Sequence, residues 1–390
     1  MLSPFSRECY IMAKPAGAAC NLACHYCYYN KPRQTPMDLS TLELFVEQYI
    51  AMQTTGHVLF TWHGGEPMLR PLSFYRKAVE LQRKYADGRH IENCIQTNGT
   101  LLTPEWCQFL HDNQWLVGIS IDGTEEMHNA YRGNSWQRVM EGIRLMQRYG
   151  VEWNAMATVH AANADRPLEF YRFFKSIGCQ YLQFTPIVES NGEDVLPMAV
   201  TPGQWGNFLC AIFDEWVQTD VGKVFVQIFD ATLANWVGVT PGLCTLSAEC
   251  GHAGVIEANG DVYSCDHFVF PEHRLGNIRQ HTLIDMMYGE QQSRFSALKS
   301  KLLPEDCRQC QWLFACHGEC PKNRIENRGV RSEELGVRSE ENRSKETASY
   351  LCSGYRQYFA HAAPKMDIMA DLYRHGRAPA EIMEELILRS

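Results

Sequence analysis

The 390-residue chain has no stretch approaching 18 uninterrupted apolar residues, so nothing in it reads as a membrane-spanning helix. Met1 to Gly17 carry Arg7, Glu8 and Lys14 and lack an apolar run long enough for the core of a secretory signal. A soluble, cytoplasmic protein without a membrane partner is expected. Positive charge is also short, because 36 Lys and Arg stand against 45 Asp and Glu, a net charge of −9. Nucleic-acid binding is driven by cations that displace counterions from phosphate, so no nucleic-acid partner is expected. Low-complexity sequence is nearly absent, and at 45% hydrophobic and 21% charged residues the chain can bury a core.

What the chain has in excess is cysteine, sixteen in all. In a reducing compartment that number is a poor disulfide framework and a better sign of metal or redox chemistry.

From Tyr10 to about Glu189, short apolar runs alternate with longer helical patterns. Strands are expected at Tyr10–Ala13, Val58–Trp62, Ile91–Thr97, Val117–Ile121, Trp153–Val159 and Tyr181–Thr185. Helices are expected at Ser40–Gln53, opening on a Ser40–Glu43 capping-box spacing, at Trp136–Tyr149 and at Pro202–Thr219. Such alternation predicts parallel strands with right-handed crossovers, an α/β fold of six βα units resembling a partial (β/α)6 barrel. In barrels of this kind the loops after the strands build the site, and here they read His63-Gly64-Gly65-Glu66, Thr97-Asn98-Gly99, Ser120-Ile121-Asp122-Gly123 and His160.

After Pro202 the alternation weakens, and from Leu243 onward cysteines and turns dominate. Two domains are expected, 1–235 and 236–390. A GVRSEE heptad repeats at 329–341, a charged sequence that cannot bury a core and reads as a solvated loop insertion.

Cys20, Cys24 and Cys27 follow the first strand as CxxxCxxC. Three thiolates at this spacing can hold three irons of a [4Fe–4S] cubane and leave the fourth open, whereas structural zinc wants four ligands. A second set comprises Cys244, Cys250, Cys265, Cys307, Cys310, Cys316, Cys320 and Cys352, eight thiols that suffice for two fully ligated cubanes. Taken alone, Cys307 to Cys320 would equally suit a zinc ribbon. Cys9, Cys94, Cys107, Cys179 and Cys210 sit in apolar patterns and read as small buried hydrophobes.

The cysteine triad, with an aromatic before its last member, is similar to the signature of radical S-adenosylmethionine enzymes, and Gly64-Gly65-Glu66-Pro67 resembles their GGEP motif. The resemblance implies that the open iron is chelated by the amino and carboxylate groups of S-adenosylmethionine, whose reductive cleavage yields a 5′-deoxyadenosyl radical. It places Tyr26 near the adenine, the backbone of Gly64 and Gly65 with Glu66 at the methionine ammonium, and Asn98 and Ser120 at the ribose or carboxylate. The glycines are expected to let the backbone approach the ligand.

The later cysteines match the pattern of SPASM iron–sulfur domains. Together with the Cys27-Tyr28-Tyr29 run, the Cys265-Asp266 pair and the Cys244-x5-Cys250 spacing, they resemble the anaerobic sulfatase-maturating enzymes across nearly the whole chain. That family implies three [4Fe–4S] clusters, the auxiliary ones held by Cys244, Cys250, Cys265 and Cys320 and by Cys307, Cys310, Cys316 and Cys352. It implies oxidation of a Cys or Ser in an unfolded sulfatase to Cα-formylglycine, with Asp266 as base, Tyr29 near the substrate, and a low-potential donor such as flavodoxin or ferredoxin. His63 stands where Gln is expected in some members. Like charge and burial beside a cluster are expected to raise the pKa of Asp266, whose plainer role is a turn-forming Asp. Two other functions stay open at this point, a SPASM maturase acting on a small ribosomal peptide and an iron–sulfur electron carrier. Fully ligated clusters suit a carrier better than the open triad does.

Overall fold

The computed structural model describes residues 9–29, 35–191, 194–325 and 347–389, so the GVRSEE repeat at 329–341 lies outside the described residues. The chain forms two compact units. The first takes residues up to Ser120, Tyr131–Trp153 and Cys250–Ala297; the second takes Ile121–Ala130, Asn154–Glu249 and the chain from Leu298. This division crosses the 235/236 boundary because a late strand returns to pair with the first one.

In the first unit the strands are β1 (Cys9–Ala13), β2 (His57–Trp62), β3 (His90–Thr97) and β4 (Leu116–Ser120). β1 pairs with β2, β2 with β3, and β3 with β4, all parallel. Each lies within one residue of its expected bounds. In the second unit β5 (Trp153–Val159, from Asn154 on), β6 (Tyr181–Pro186) and the two-residue β7 (Phe225–Val226) also pair in parallel. Three strands of the cysteine-rich region were not expected: β8 (His252–Ile256), β9 (Asp261–Tyr263) and β10 (Arg274–Asn277). β8 lies parallel to β1 over five positions, and β8, β9 and β10 continue as antiparallel neighbours.

Helix Leu39–Ala51 buries Leu42, Phe45, Val46, Tyr49 and Ile50, the one-face spacing of an amphipathic helix. Its cap is Asp38 rather than Ser40. The Asp38 carboxylate accepts from the Thr41 amide at 2.7 Å and from the Ser40 hydroxyl at 2.8 Å, which places Ser40 inside the first turn. The Phe45 ring of the helix meets Phe60 and Trp62 edge-on, and Trp62 stacks on Trp115 at 6.3 Å, all buried. The Trp62 indole donates to Asn93, which exchanges bonds with Gln82, so these polar groups are partnered within the core.

Helices Trp136–Tyr149 and Pro202–Thr219 keep their expected bounds. In the second unit the latter packs against helix Cys352–Arg374. At the crossing a Cβ on Gly354 would come within 2.2 Å of the Pro202 carbonyl, so glycine is what lets the two backbones meet.

Candidate active site

The first unit carries most of the site, at the ends of β1, β2 and β3. β1 gives way at Lys14 to a turned segment that leads into Cys20, Cys24 and Cys27. The Gly65 amide donates to the Gly17 carbonyl at 2.9 Å and the Glu66 amide to Ala19 at 2.8 Å. A Cβ on Gly65 would lie 2.2 Å from the Ala19 oxygen. What the glycine permits in this structure is therefore close contact with the cysteine loop, which the sequence had suggested for a ligand.

Glu66 is fully buried. Its Oε1 accepts from the Met68 amide at 2.9 Å and the Thr97 hydroxyl at 2.7 Å, and its Oε2 from the Asn98 amide at 2.8 Å. One carboxylate thus joins the loops after β2 and β3, and Oε2, with one donor, keeps a lone pair. Burial pushes the pKa of Glu66 up while these three donors oppose it. Asn98 turns toward the cysteine loop, donating to Asn21 at 2.9 Å with the Cys20 sulfur 3.9 Å away. Ser120 accepts from Gln96 at 2.9 Å, leaving its hydroxyl hydrogen to donate. Tyr26 is buried edge-to-face on Tyr131 at 6.3 Å, with the Arg132 guanidinium 5.5 Å from its ring centre.

Asp266 sits in a polar set assembled from distant parts of the chain. The Lys14 ammonium, wholly buried, lies 2.5 Å from Asp266 Oδ1, 3.8 Å from Glu257 and 3.4 Å over the Tyr29 ring. Tyr28 donates to the other oxygen of Asp266, and Tyr29 donates to Glu257. The tyrosine bonded to Asp266 is thus Tyr28, while Tyr29 covers Lys14. The expected rise in the Asp266 pKa is corrected here. Burial pushes it up, but the Lys14 ammonium and the His63 and His267 rings outweigh that and hold the carboxyl well below its usual range. His63 is half-buried near the same set, and desolvation lowers its pKa.

Lys14 and Glu257 carry no motif of their own, although Lys14 directly follows β1, where an α/β site is built, and Tyr28 stood in the Cys27-Tyr28-Tyr29 run without a role. Arg132 likewise was not singled out. Its signal was its place in the Tyr131-Arg132-Gly133 turn after the Ser120 loop.

Of the auxiliary cysteines, Cys307, Cys310, Cys316 and Cys352 line one pocket of about 310 Å³ in the second unit, with Trp312 and Arg356 in its wall. Short helical turns present Cys307 and Cys316, Cys310 lies in the segment between them, and Cys352 opens helix Cys352–Arg374. Arg356, one turn further on, hydrogen-bonds Cys310 and brings positive charge to a site that would hold an anionic cluster. Cys250 and Cys265 belong to the first unit. They flank the β8–β9 hairpin, and the buried Gln292 amide donates to both Gly251 O at 3.2 Å and Ser264 O at 3.3 Å, the residues beside them. Cys244 and Cys320 belong to the second unit, where the buried Lys299 donates to the Cys244 carbonyl at 2.7 Å.

Thiol spacing tests what these sets can hold. Four thiolates on one tetrahedral zinc, at 2.3 Å each, lie about 3.8 Å apart. Among the described residues, neither Cys20, Cys24 and Cys27 nor any three of the pocket thiols gather within 4.8 Å. The other five cysteines are buried or half-buried without such a setting, and burial pushes the thiols of Cys9 and Cys179 up to about 12 and of Cys107 and Cys210 up to about 11.

The Radical SAM superfamily matches residues 15–174, and the SPASM iron-sulfur cluster-binding domain matches residues 247–311. A serine-type anaerobic sulfatase-maturating enzyme of Bacteroides thetaiotaomicron is 54% identical over 98% of this chain and 96% of its own length. A cysteine-type anaerobic sulfatase-maturating enzyme of Clostridium perfringens is 31% identical over 91% of this chain and 96% of its own. The solved structure described as native anSMEcpe with bound AdoMet and Cp18Cys peptide superposes with a TM-score of 0.83, at 31% identity, over 93% of this chain and 99% of that one.

Proposed function

The chain belongs to the anaerobic sulfatase-maturating enzymes, radical S-adenosylmethionine enzymes that convert Ser or Cys to formylglycine, and from that membership we propose that its own target is a serine. The observation that carries the proposal is the difference in likeness, 54% identity to the serine-type relative against 31% to the cysteine-type one, each over more than nine-tenths of both chains. Membership also removes the two alternatives, the peptide maturase and the electron carrier.

The substrate in this reading is a sulfatase polypeptide, still unfolded, that threads its target side chain to the Asp266 set. Three clusters are assigned. The catalytic one takes Cys20, Cys24 and Cys27; one auxiliary cluster takes Cys244, Cys250, Cys265 and Cys320, and the other takes Cys307, Cys310, Cys316 and Cys352. S-adenosylmethionine is assigned to Tyr26, Gly64, Gly65, Glu66, Asn98 and Ser120. Support comes from the spare lone pair on Glu66, the unspent hydroxyl hydrogen of Ser120 and the gathering of Cys307, Cys310, Cys316 and Cys352 around one pocket. When bound, these groups supply the 5′-deoxyadenosyl radical that takes a hydrogen atom and an acceptor for one further electron.

The chain's own residues then have two tasks. Converting CH2OH to CHO removes a hydrogen atom, an electron and a proton, and Asp266 is assigned the proton. Lys14 keeps this carboxylate ionised, free of a proton at neutral pH though less basic, and Tyr28 fixes its orientation. Tyr29 is assigned to the floor beneath Lys14, in reach of the substrate side. A low-potential flavodoxin or ferredoxin is the assigned reductant and the cytoplasm the assigned compartment. No described helix is long and apolar enough to cross a membrane.

The test is anaerobic incubation of the reconstituted enzyme with S-adenosylmethionine, a reductant and paired peptides that carry the sulfatase motif with Ser or Cys at the target. Formylglycine from the Ser peptide is expected, and turnover of the Cys peptide alone would refute serine specificity.

A further inference from the structure

We propose that the outer ends of β2 and β3 form a surface site for a single divalent transition ion of the zinc type, held by His57, His90 and Glu92. The position follows from the register. His57 and His90 are direct partners across the parallel β2–β3 pair, so their side chains leave the sheet on one face, about 4.8 Å apart. Glu92 is two residues beyond His90 on the same strand and therefore on the same face.

The side chains converge as this register requires. His57 Nδ1 lies 3.8 Å from Glu92 Oε1, His90 Nε2 lies 3.3 Å from the same oxygen, and all three donor atoms fall within 4.8 Å of one another. A tetrahedral ion with ligands at 2.0–2.1 Å holds neighbouring ligand atoms about 3.3 Å apart. One contact already has that length, and the others close with small side-chain rotations. Two imidazoles and a carboxylate are a zinc donor set that leaves the fourth position for water or an incoming ligand.

The backbone beneath is fixed. β2 and β3 are inner strands of their sheet, the His90 amide donates to Gly56 O at 2.8 Å, and the Thr55 hydroxyl donates to His57 O at 2.7 Å. All three ligands are exposed, which gives the ion an open path. The alternative is a pair of plain surface His–Glu contacts, worth little and needing no metal. Distance separates this site from the cluster triad. The loops that carry the triad and its partners follow the opposite ends of these strands, on the order of 20 Å away. An ion here would add to the metal content of the protein without touching the iron ligands.

The experiment uses tag-free, fully reconstituted enzyme at pH 7.5. Zn2+ is titrated against a chromophoric chelator, and Co2+ binding is followed by optical absorption. One zinc equivalent is expected, with cobalt showing ligand-field bands and no thiolate-to-cobalt charge transfer. His57→Ala, His90→Ala and Glu92→Ala should each weaken zinc binding by at least about tenfold, with iron content unchanged. Equal affinity in the wild type and all three variants, no binding, or a cobalt charge-transfer band from cysteine would each overturn the proposal.

Discussion

Lys14 Nζ lies 2.5 Å from Asp266 Oδ1, joining the end of the first strand to the residue after Cys265, 252 positions along the chain. The lysine is wholly buried and faces a second carboxylate, Glu257, at 3.8 Å. A buried ion pair of this kind is held together by the penalty of leaving either charge alone.

Lys14→Met should therefore cost about 3–5 kcal/mol of stability and abolish formylglycine formation, while Lys14→Arg keeps the charge and recovers part of both. Thermal midpoint, iron content and peptide mass spectrometry check this. Full aldehyde yield from Lys14→Met would remove Lys14 from the account.

Tyr28 and Tyr29 should separate. Tyr28→Phe removes a hydrogen bond to the Asp266 carboxylate, so product formation should fall by roughly ten- to a hundredfold with cosubstrate cleavage kept. Tyr29→Phe leaves a buried Glu257 oxygen without its donor and should show mainly as about 1–3 kcal/mol of lost stability. The reverse pattern, with Tyr29→Phe impairing turnover and Tyr28→Phe only stability, would exchange their roles.

Much of this arrangement was legible in the residues, and the part that was not has a physical reason. Helices Trp136–Tyr149 and Pro202–Thr219 carried their apolar spacing in the sequence and formed within those bounds. The loop that carries Cys20, Cys24 and Cys27 was placed correctly, directly after β1, because the apolar run of that strand ends there. Lys14 and Glu257 were not, because a buried ion pair leaves no periodic trace when its members lie 243 residues apart. β8, β9 and β10 are three to five residues long and sit among cysteines and turns, so they show no pattern of their own; β8 forms on β1, β9 on β8 and β10 on β9. The helix start at Asp38 was missed because two oxygen-bearing residues compete for one cap, and the carboxylate takes the Thr41 amide.

Anaerobic reconstitution should give about twelve irons per chain, and replacing Cys20, Cys24 and Cys27 together by Ala should leave roughly eight with no 5′-deoxyadenosine formed. Iron analysis and chromatography of the nucleoside decide it. Saturation near four irons with stoichiometric zinc in the cysteine sites would refute the auxiliary clusters.

Asp230, on helix Gln227–Val237, is pushed up to about 7 by burial. An acid raised on folding stabilises below its unfolded pKa of 3.8, and that contribution is lost as pH rises toward 7. The rise corresponds to roughly 4 kcal/mol as an upper bound. Asp230→Asn should thus melt higher than wild type at pH 8 and nearly alike at pH 4. An equal difference at both pH values would place the effect elsewhere.

The Asp266 carboxylate is assigned as the proton acceptor in oxidation of a serine. Wild type and Asp266→Asn are compared on the Ser-motif peptide, anaerobically, with aldehyde and 5′-deoxyadenosine both quantified. The variant should keep its iron and still cleave S-adenosylmethionine, while formylglycine falls by at least about a hundredfold. Undiminished aldehyde from Asp266→Asn, with all clusters in place, would contradict it.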